Sequence, residues 1–143
     1  MVTFHYIEFK TYCHATEDKE RVRSALFNVI DQEIELEENE AEGYYGNPIL
    51  ILSGKIDINT EMDDFFSSLN EDIIKELLMT LENRIDERCN FYFRLDKEGA
   101  YNGQLKLSSG SNTIKVRARV ESYPAKRDNA IKKMREYLQE KID

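Results

Sequence analysis

The stretch TIKVRARVE, Thr113 to Glu121, alternates apolar and polar residues along its whole length. Side chains of a β-strand point alternately to the two faces of a sheet, so this pattern predicts a half-buried strand. Its four apolar residues then face the core, and its three cations lie on the opposite, outer face. The cations are Lys115, Arg117 and Arg119.

The neighbouring segments extend this pattern. FYFRL (Phe91 to Leu95) and QLKL (Gln104 to Leu107) also alternate, and apolar residues with helical spacing precede and follow the three strands. The region from Glu71 to Ile142 is therefore predicted to fold as α-β-β-β-α. If the strands alternate in phase, three more side chains join the outer face: Tyr92, Arg94 and Lys106.

The first half of the chain predicts further strands and helices in turn. Phe4 to Cys13, Ile49 to Ile56 and the acidic run Glu33 to Glu37 have strand patterns, and apolar stripes predict helices between and after them. The predicted fold class is α+β, with a mainly antiparallel sheet and helices packed on one side of it. We expect a single domain, residues 1–143.

Length and composition limit the class of protein. A chain of 143 residues can form one stable domain without metal or disulfide support. No window approaches the run of about 18 apolar residues that spans a bilayer, and the first residues do not form a signal peptide's apolar block. We therefore expect a soluble cytoplasmic protein, with Cys13 and Cys89 as reduced core thiols.

The charges are sorted along the chain, whose formal net charge is -8. Residues 1–90 hold 8 basic and 21 acidic residues, net -13, whereas residues 91–143 hold 12 and 7, net +5. This asymmetry indicates an anion-binding surface on an acidic body. Lys and Arg clusters recognise phosphate backbones, and an aromatic residue on the same flat face is compatible with RNA.

The last predicted helix adds two cations to the candidate surface. It begins after Pro124, and Lys126 and Arg127 occupy its first turn. Cations there oppose the helix dipole, so helix stability does not explain them and a ligand-facing role is favoured. The predicted RNA-binding residues are Tyr92, Arg94, Lys106, Lys115, Arg117, Arg119, Lys126 and Arg127.

A salt-bridged surface without a ligand is an alternative explanation of the basic strand. Glu33, Glu35 and Glu37 form an equally regular acidic row. Cross-strand pairing of this row with the cations would leave an ordinary solvated sheet face. The sequence leaves both explanations open.

Metal-binding and catalytic patterns are weak. Cys13 and His14 are adjacent and so point to opposite faces of a strand, and Cys and His lack zinc-site spacing. Asp57 begins a calcium-loop pattern, but Met62 occupies the position that requires glycine. We expect no cofactor, no metal and no enzymatic activity.

Four segments together resemble a known family, the archaeal RNA-binding proteins described as predicted exosome subunits. In order, they are HYIEFKTYCHATEDKERV, EAEGYYGNPILIL, FYFRLDKEGAYNG and KVRARVESYPAKRDNAI. The most specific pieces are Cys13 to Glu17, Glu42 to Pro48, and Asp96-Lys97 followed by Ala100-Tyr101. The resemblance covers nearly the whole chain and implies an archaeal, cytoplasmic, homodimeric α+β protein that binds RNA.

The resemblance also implies a fold like the double-stranded-RNA-binding domain, with which residues 71–142 share the predicted element order. That domain contacts RNA partly through basic residues that open its last helix, and only Lys126 and Arg127 match them. The loop Lys97 to Gly103 lacks that domain's Gly-Pro-x-His pattern. A site on the basic strand face or across a dimer seam is equally compatible with the residues.

A second class of function does not involve RNA. Tyr44 and Tyr45 lie in a loop that ends in Gly46-Asn47-Pro48, and tyrosine is enriched at protein interfaces. This loop and the acidic half favour a dimeric adaptor or scaffold. The sequence thus predicts either a non-catalytic RNA-binding accessory factor, with exosome or ribosome-processing proteins as partners, or such an adaptor. Steep salt dependence of RNA binding would distinguish the first from the second.

Overall fold

The computed structural model describes residues 3–43 and 46–143. This part of the chain contains five strands, five α-helices and one 3-10 helix. The strands are β1 (Phe4–His14), β2 (Glu37–Glu42), β3 (Pro48–Ile56), β4 (Asn90–Asp96) and β5 (Thr113–Val120). The helices are α1 (Lys19–Ile30), α2 (Asn59–Ser68), α3 (Glu71–Met79), α4 (Lys97–Tyr101) and α5 (Arg127–Ile142), with a 3-10 helix at Leu81–Asn83.

The strands form an antiparallel five-stranded sheet in the order β2-β3-β1-β5-β4. β2 pairs with β3 from Glu37 opposite Ser53 to Glu42 opposite Pro48. Alternate side chains are buried from Ile7 to Cys13 of β1, from Phe91 to Leu95 of β4 and from Ile114 to Val120 of β5, and those between them are half-buried or exposed. The predicted α+β class and antiparallel sheet are confirmed.

Contacts group the chain into two compact units, and β1, β4 and β5 each contribute residues to both. Unit 1 comprises the described residues of Met1–Ile7, Ile56–Phe93 and Arg117–Asp143. Unit 2 comprises the described residues of Glu8–Lys55 and Arg94–Val116. The single domain expected from the sequence, with residues 71–142 as one half of it, stays a prediction.

Aromatic rings form the centre of unit 1. Phe66 of α2 is fully buried, and its ring stacks on Phe4 of β1 with 5.0 Å between centroids. The same ring packs on Phe91 of β4 at 6.4 Å and meets Tyr137 of α5 edge-on at 5.6 Å. Phe66 therefore joins two helices to two strands.

In unit 2, α1 packs on the short helix α4. The side-chain amide of Asn28 in α1 donates to the carbonyls of Ala100 and Tyr101, at 2.9 and 3.3 Å. The predicted apolar stripe of α1 is buried as expected; its residues are Val22, Ala25, Leu26, Val29 and Ile30. Asp18 caps this helix by accepting from the backbone N–H of Glu20 at 3.0 Å.

The strand predicted at Gln104 to Leu107 does not form. Asp96 accepts a hydrogen bond from the backbone N–H of Gly99 at 2.9 Å, which caps α4 and turns the chain directly after β4. Only Leu107 then pairs with β4, as an isolated bridge to Leu95. The C-terminal order is therefore α-β-α-β-α rather than α-β-β-β-α.

The strand predicted over Glu33 to Glu37 is also wrong, because only Glu37 belongs to β2. The apolar residues of this run, Ile34 and Leu36, pack over Gly54 of β3. Their terminal carbons lie 2.8 and 3.0 Å from the position that a Cβ of Gly54 would take. The alternation thus reflects side-chain packing over a glycine and not strand pairing.

Within the described residues, no helix combines the length and apolar character required to cross a membrane.

Replacing Phe66 by Ala should destabilise the protein by about 3–5 kcal/mol, because it removes a ring that contacts three other elements and leaves a cavity. Urea unfolding followed by circular dichroism measures this loss. Met79, which is 86% exposed on α3, provides the control: Met79→Ala should change the free energy of unfolding by less than about 0.5 kcal/mol. Equal effects of the two substitutions would contradict the assigned role of Phe66.

Candidate functional site

β5 has the two faces that its sequence predicts. Its four apolar side chains, from Ile114 to Val120, are at most 2% exposed. Lys115, Arg117 and Arg119 are only half-buried and lie on the outer face, away from the core. Strand alternation alone fixes this separation of cations from apolar side chains.

In unit 1, aromatic side chains of two strands lie beside Arg117. Its guanidinium carbon is 5.6 Å from the centroid of the Tyr6 ring on β1, within cation–π distance. The nearby Arg117 guanidinium also acts to lower the pKa of Tyr92 on β4, against the larger effects that raise it. The outer-face residues Tyr6, Tyr92, Arg117 and Arg119 are called the unit-1 basic group below.

Tyr92 connects this group to Asp86. Its hydroxyl donates to Oδ2 of Asp86 at 3.1 Å. Partial burial, followed by this hydrogen bond, raises the pKa of Tyr92. Burial acts to raise the pKa of Asp86, but hydrogen bonds from Asn90, Arg88 and Tyr92 lower it overall. The carboxylate is thus ionised and holds the neutral phenol in place, with the ring 41% exposed.

In unit 2, Lys115 lies over a second tyrosine of β1. Its ammonium nitrogen is 5.4 Å from the centroid of the Tyr12 ring. Lys10 lies on the same face of β1, and Arg94 is exposed on the outer face of β4. The residues Lys10, Tyr12, Arg94 and Lys115 are called the unit-2 basic group below.

The sequence prediction missed the contribution of β1 to both groups. Tyr6, Lys10 and Tyr12 alternate with Ile7, Phe9, Thr11 and Cys13, so their outward direction could be predicted from the sequence. The sequence does not show that β1 lies next to β5 in the sheet, which requires the strand order. The aromatic partners of the cations were therefore not identified.

Lys106 is exposed, but it does not lie in a strand, because the strand predicted at Gln104 to Leu107 does not form. Its Cε lies 3.5 Å from the position that a Cβ of Gly99 in α4 would take. Its side chain thus lies against α4, and, over the residues that the structure describes, no hydrogen bond or ion pair joins Lys106 to the unit-2 basic group.

Lys126 and Arg127, predicted together, have different surroundings. Lys126 is exposed at the N-cap of α5. Arg127 donates from Nε to the carbonyl of Ile85 at 2.9 Å, and from its terminal nitrogen to the carbonyl of Glu82. These two hydrogen bonds account for the position of Arg127 in the first turn of α5, and no RNA contact is needed to explain it.

The acidic residues near β2 pair with α1 and not with β5. Glu38 bonds Lys19 at 2.8 Å and Arg23 at 2.7 Å, and the hydrogen bond from Lys19 lowers the pKa of Glu38. The strand neighbours of β5 are β1 and β4, whereas β2 pairs with β3. Cross-strand pairing of the row Glu33, Glu35 and Glu37 with the β5 cations is therefore not observed.

Tyr44 and Tyr45, the predicted self-association residues, lie outside the described residues. Cys13 and Cys89 are both buried thiols, as expected, and His14 is exposed. Over residues 3–43 and 46–143, no three His, Cys, Asp or Glu side chains are grouped as metal ligands would be.

The substitution Arg127→Gln should lower the free energy of unfolding by about 1–3 kcal/mol, since it removes two hydrogen bonds from a charged donor to backbone carbonyls. Lys126→Gln, one residue earlier and fully accessible, should change it by less than about 0.5 kcal/mol. Urea titration of both variants measures the difference. If Arg127→Gln is as stable as wild type, the guanidinium is not held by these carbonyls in solution.

Comparison with known proteins identifies relatives over most of the chain. A family model described as RNA binding matches residues 6–120. RNA-binding protein PAB1135 of Pyrococcus abyssi is 38% identical over 144 residues, which cover 94% of each chain.

Two solved archaeal structures share the fold. Protein AF2318 of Archaeglobus fulgidus superposes with a TM-score of 0.86 at 35% identity, covering 94% of this chain and 99% of that one. Mth689 of Methanothermobacter thermautotrophicus gives 0.83 at 35% identity, covering 95% and 98%. Both are described as DUF54 proteins. The chain belongs to the RNA-binding family whose model it matches.

Proposed function

We propose that this member of the RNA-binding family binds RNA phosphates, without catalysis, through the unit-1 and unit-2 basic groups. The observation that carries the proposal is the outer face of β5, where Lys115 and Arg117 each lie over a tyrosine ring of β1. A cation held beside a flat aromatic ring can contact a phosphate while the ring contacts a sugar or base. PAB1135 is itself named an RNA-binding protein.

Several cations of these groups are available to a ligand. Among the described residues, no carboxylate forms an ion pair with Arg94, Lys115 or Arg119. Each has a half-buried or exposed side chain. Lys126 is equally accessible and is retained as a candidate phosphate contact, whereas Arg127 is committed to backbone carbonyls and is left out of the site.

The contacts proposed here go to phosphates, so affinity should depend little on sequence and strongly on salt. Each phosphate contact contributes about 0.7 to 0.9 to the slope of log affinity against log salt concentration. The double variants Arg117→Gln with Arg119→Gln, and Arg94→Gln with Lys115→Gln, should each reduce this slope by about 1.5. Fluorescence anisotropy with a labelled RNA over a range of salt concentrations measures it.

A control variant removes two positive charges, as the test variants do, but at positions outside the proposed site. Lys132 and Arg135 are exposed on α5, and changing both to Gln should leave affinity and slope close to wild type. Circular dichroism verifies that all variants are folded. Wild-type affinity and slope in both test variants would refute the proposed site. If wild type binds no RNA at low salt, the alternative function, a dimeric protein-protein adaptor, is favoured instead.

We further infer that the protein acts as an accessory factor of RNA processing, with the exosome as a candidate assembly, and that it is a homodimer. The support is the family membership together with the Tyr44-Tyr45 loop, whose aromatic residues suit an interface. Changing both tyrosines to Ser should convert the dimer to a monomer in light-scattering measurements of mass. An unchanged mass would exclude the loop as the interface.

A further inference from the structure

Unit 2 contains a cavity of about 340 Å³ that the basic groups do not explain. Its wall is formed by the first turn of α1, by α4 and by Asn112, just before β5. Two segments that carry the family resemblance meet here, because Glu17 and Tyr101 both line the cavity. Its volume is in the range of pockets that hold small ligands.

A buried ion pair between Lys97 and Glu17 forms part of the cavity wall. Lys97 of α4 is 5% exposed, and its ammonium donates to the carbonyl of Tyr12 at 2.6 Å and to Oε2 of Glu17 at 3.1 Å. Burial acts to raise the pKa of Glu17, but the N–H of His14 and the Lys97 ammonium lower it overall, so the carboxylate is ionised. Because this carboxylate neutralises the ammonium, Lys97 is a positioning residue and not a phosphate ligand.

The rim of the cavity presents a flat, stacked pair of side chains. The guanidinium carbon of Arg21 lies 4.3 Å from the centroid of the Tyr101 ring, and Tyr101 is 38% exposed. Asn28 holds the backbone at Tyr101 through the carbonyl hydrogen bond described above. Aromatic rings and guanidinium planes are the surfaces on which unstacked RNA bases lie.

Carboxylates outnumber cations in the lining of the cavity. Three carboxylates line it, those of Glu17, Asp18 and Glu98, against the cations of Arg21 and Lys97. Asp18 uses one oxygen to cap α1. Within the described part of the chain, the Glu98 carboxylate forms no hydrogen bond or ion pair. A phosphate would be repelled, whereas a neutral group that carries N–H donors would be bound.

We propose that the cavity receives a base of the bound RNA, and guanine in particular, with its donor edge toward Glu98 and Asp18 and its face against Tyr101. Among the RNA bases, guanine presents two adjacent donors, N1–H and N2–H₂, on its pairing edge. The apolar floor formed by Val22 and Ala25 suits the rest of a purine. This inference rests on the proposed function, because the base arrives as part of an RNA held by phosphate contacts.

Tyr12 connects the cavity wall to the unit-2 basic group. The Tyr12 carbonyl accepts from Lys97 at the cavity wall, and the ring of the same residue lies under Lys115. Asn112, which lines the cavity, precedes Lys115 by three residues. The proposed base site therefore requires an RNA that runs from Lys115 to the cavity.

The test compares a short labelled oligouridine with the same RNA carrying one central guanosine, by fluorescence anisotropy. Wild type should bind the guanosine RNA about tenfold more tightly, the effect of one good base contact. Glu98→Gln should lose this preference while binding oligouridine at least as well as wild type, since a repelling charge is removed. Tyr101→Ala should weaken binding of the guanosine RNA by at least about fivefold.

Matched variants control for charge and ring content. Glu136→Gln on α5 removes an exposed carboxylate, and Tyr123→Ala removes a ring that is 99% exposed; both should retain the tenfold preference. If wild type binds both RNAs equally well, or if Glu98→Gln and Tyr101→Ala keep the preference, the base site is wrong and the phosphate site stands. If wild type binds neither RNA at low salt, the proposed function fails, and the base site fails with it.

Discussion

The pairing of β1 with β5 is the constraint on which both basic groups depend. In unit 2, the buried hydroxyl of Thr11 donates to the carbonyl of Thr113 at 3.0 Å. In unit 1, the N–H of Glu121 donates to the carbonyl of Thr3 at 2.8 Å. Because strand side chains alternate, a slip of one residue in β5 would bury its three cations and expose its apolar face. The cost of burying unpaired charge thus enforces the register that places tyrosines beside cations.

Alternation predicted the two faces of β5, but it was misleading at Glu33 to Glu37, where no strand forms before Glu37, and partners distant in the chain were not predicted. The two faces of β5 and the fold class follow from local periodicity. The strand at Gln104 to Leu107 was lost because Asp96 caps a helix immediately after β4, and that cap competes with a hairpin. Arg127 appeared to be ligand-facing because its carbonyl partners, Ile85 and Glu82, are more than 40 residues away.

The tyrosines of β1 would also affect the entropy of the proposed phosphate binding. A free lysine or arginine side chain loses rotamer freedom when it contacts a phosphate, which costs about 0.5–1.5 kcal/mol for each side chain. Lys115 and Arg117 already lie along rings, and exposed cation–π contacts stabilise such positions by about 0.5–1 kcal/mol. Part of the ordering cost is therefore met in the free protein, although the contacts are too weak to hold the cations against a phosphate.

The three cations on the outer face of β5 would let a chain of net charge -8 bind a polyanion locally. Screening limits exposed charges to about 8 Å at physiological salt, so the phosphate responds to nearby cations more than to distant carboxylates. Glu38, near the sheet edge, is already neutralised by Lys19 and Arg23. The Glu98 carboxylate lines the cavity instead, where it would disfavour a phosphate and favour the N–H groups of a base. Cations on the strand face and carboxylates in the cavity would then orient a nucleotide by repulsion as well as by attraction.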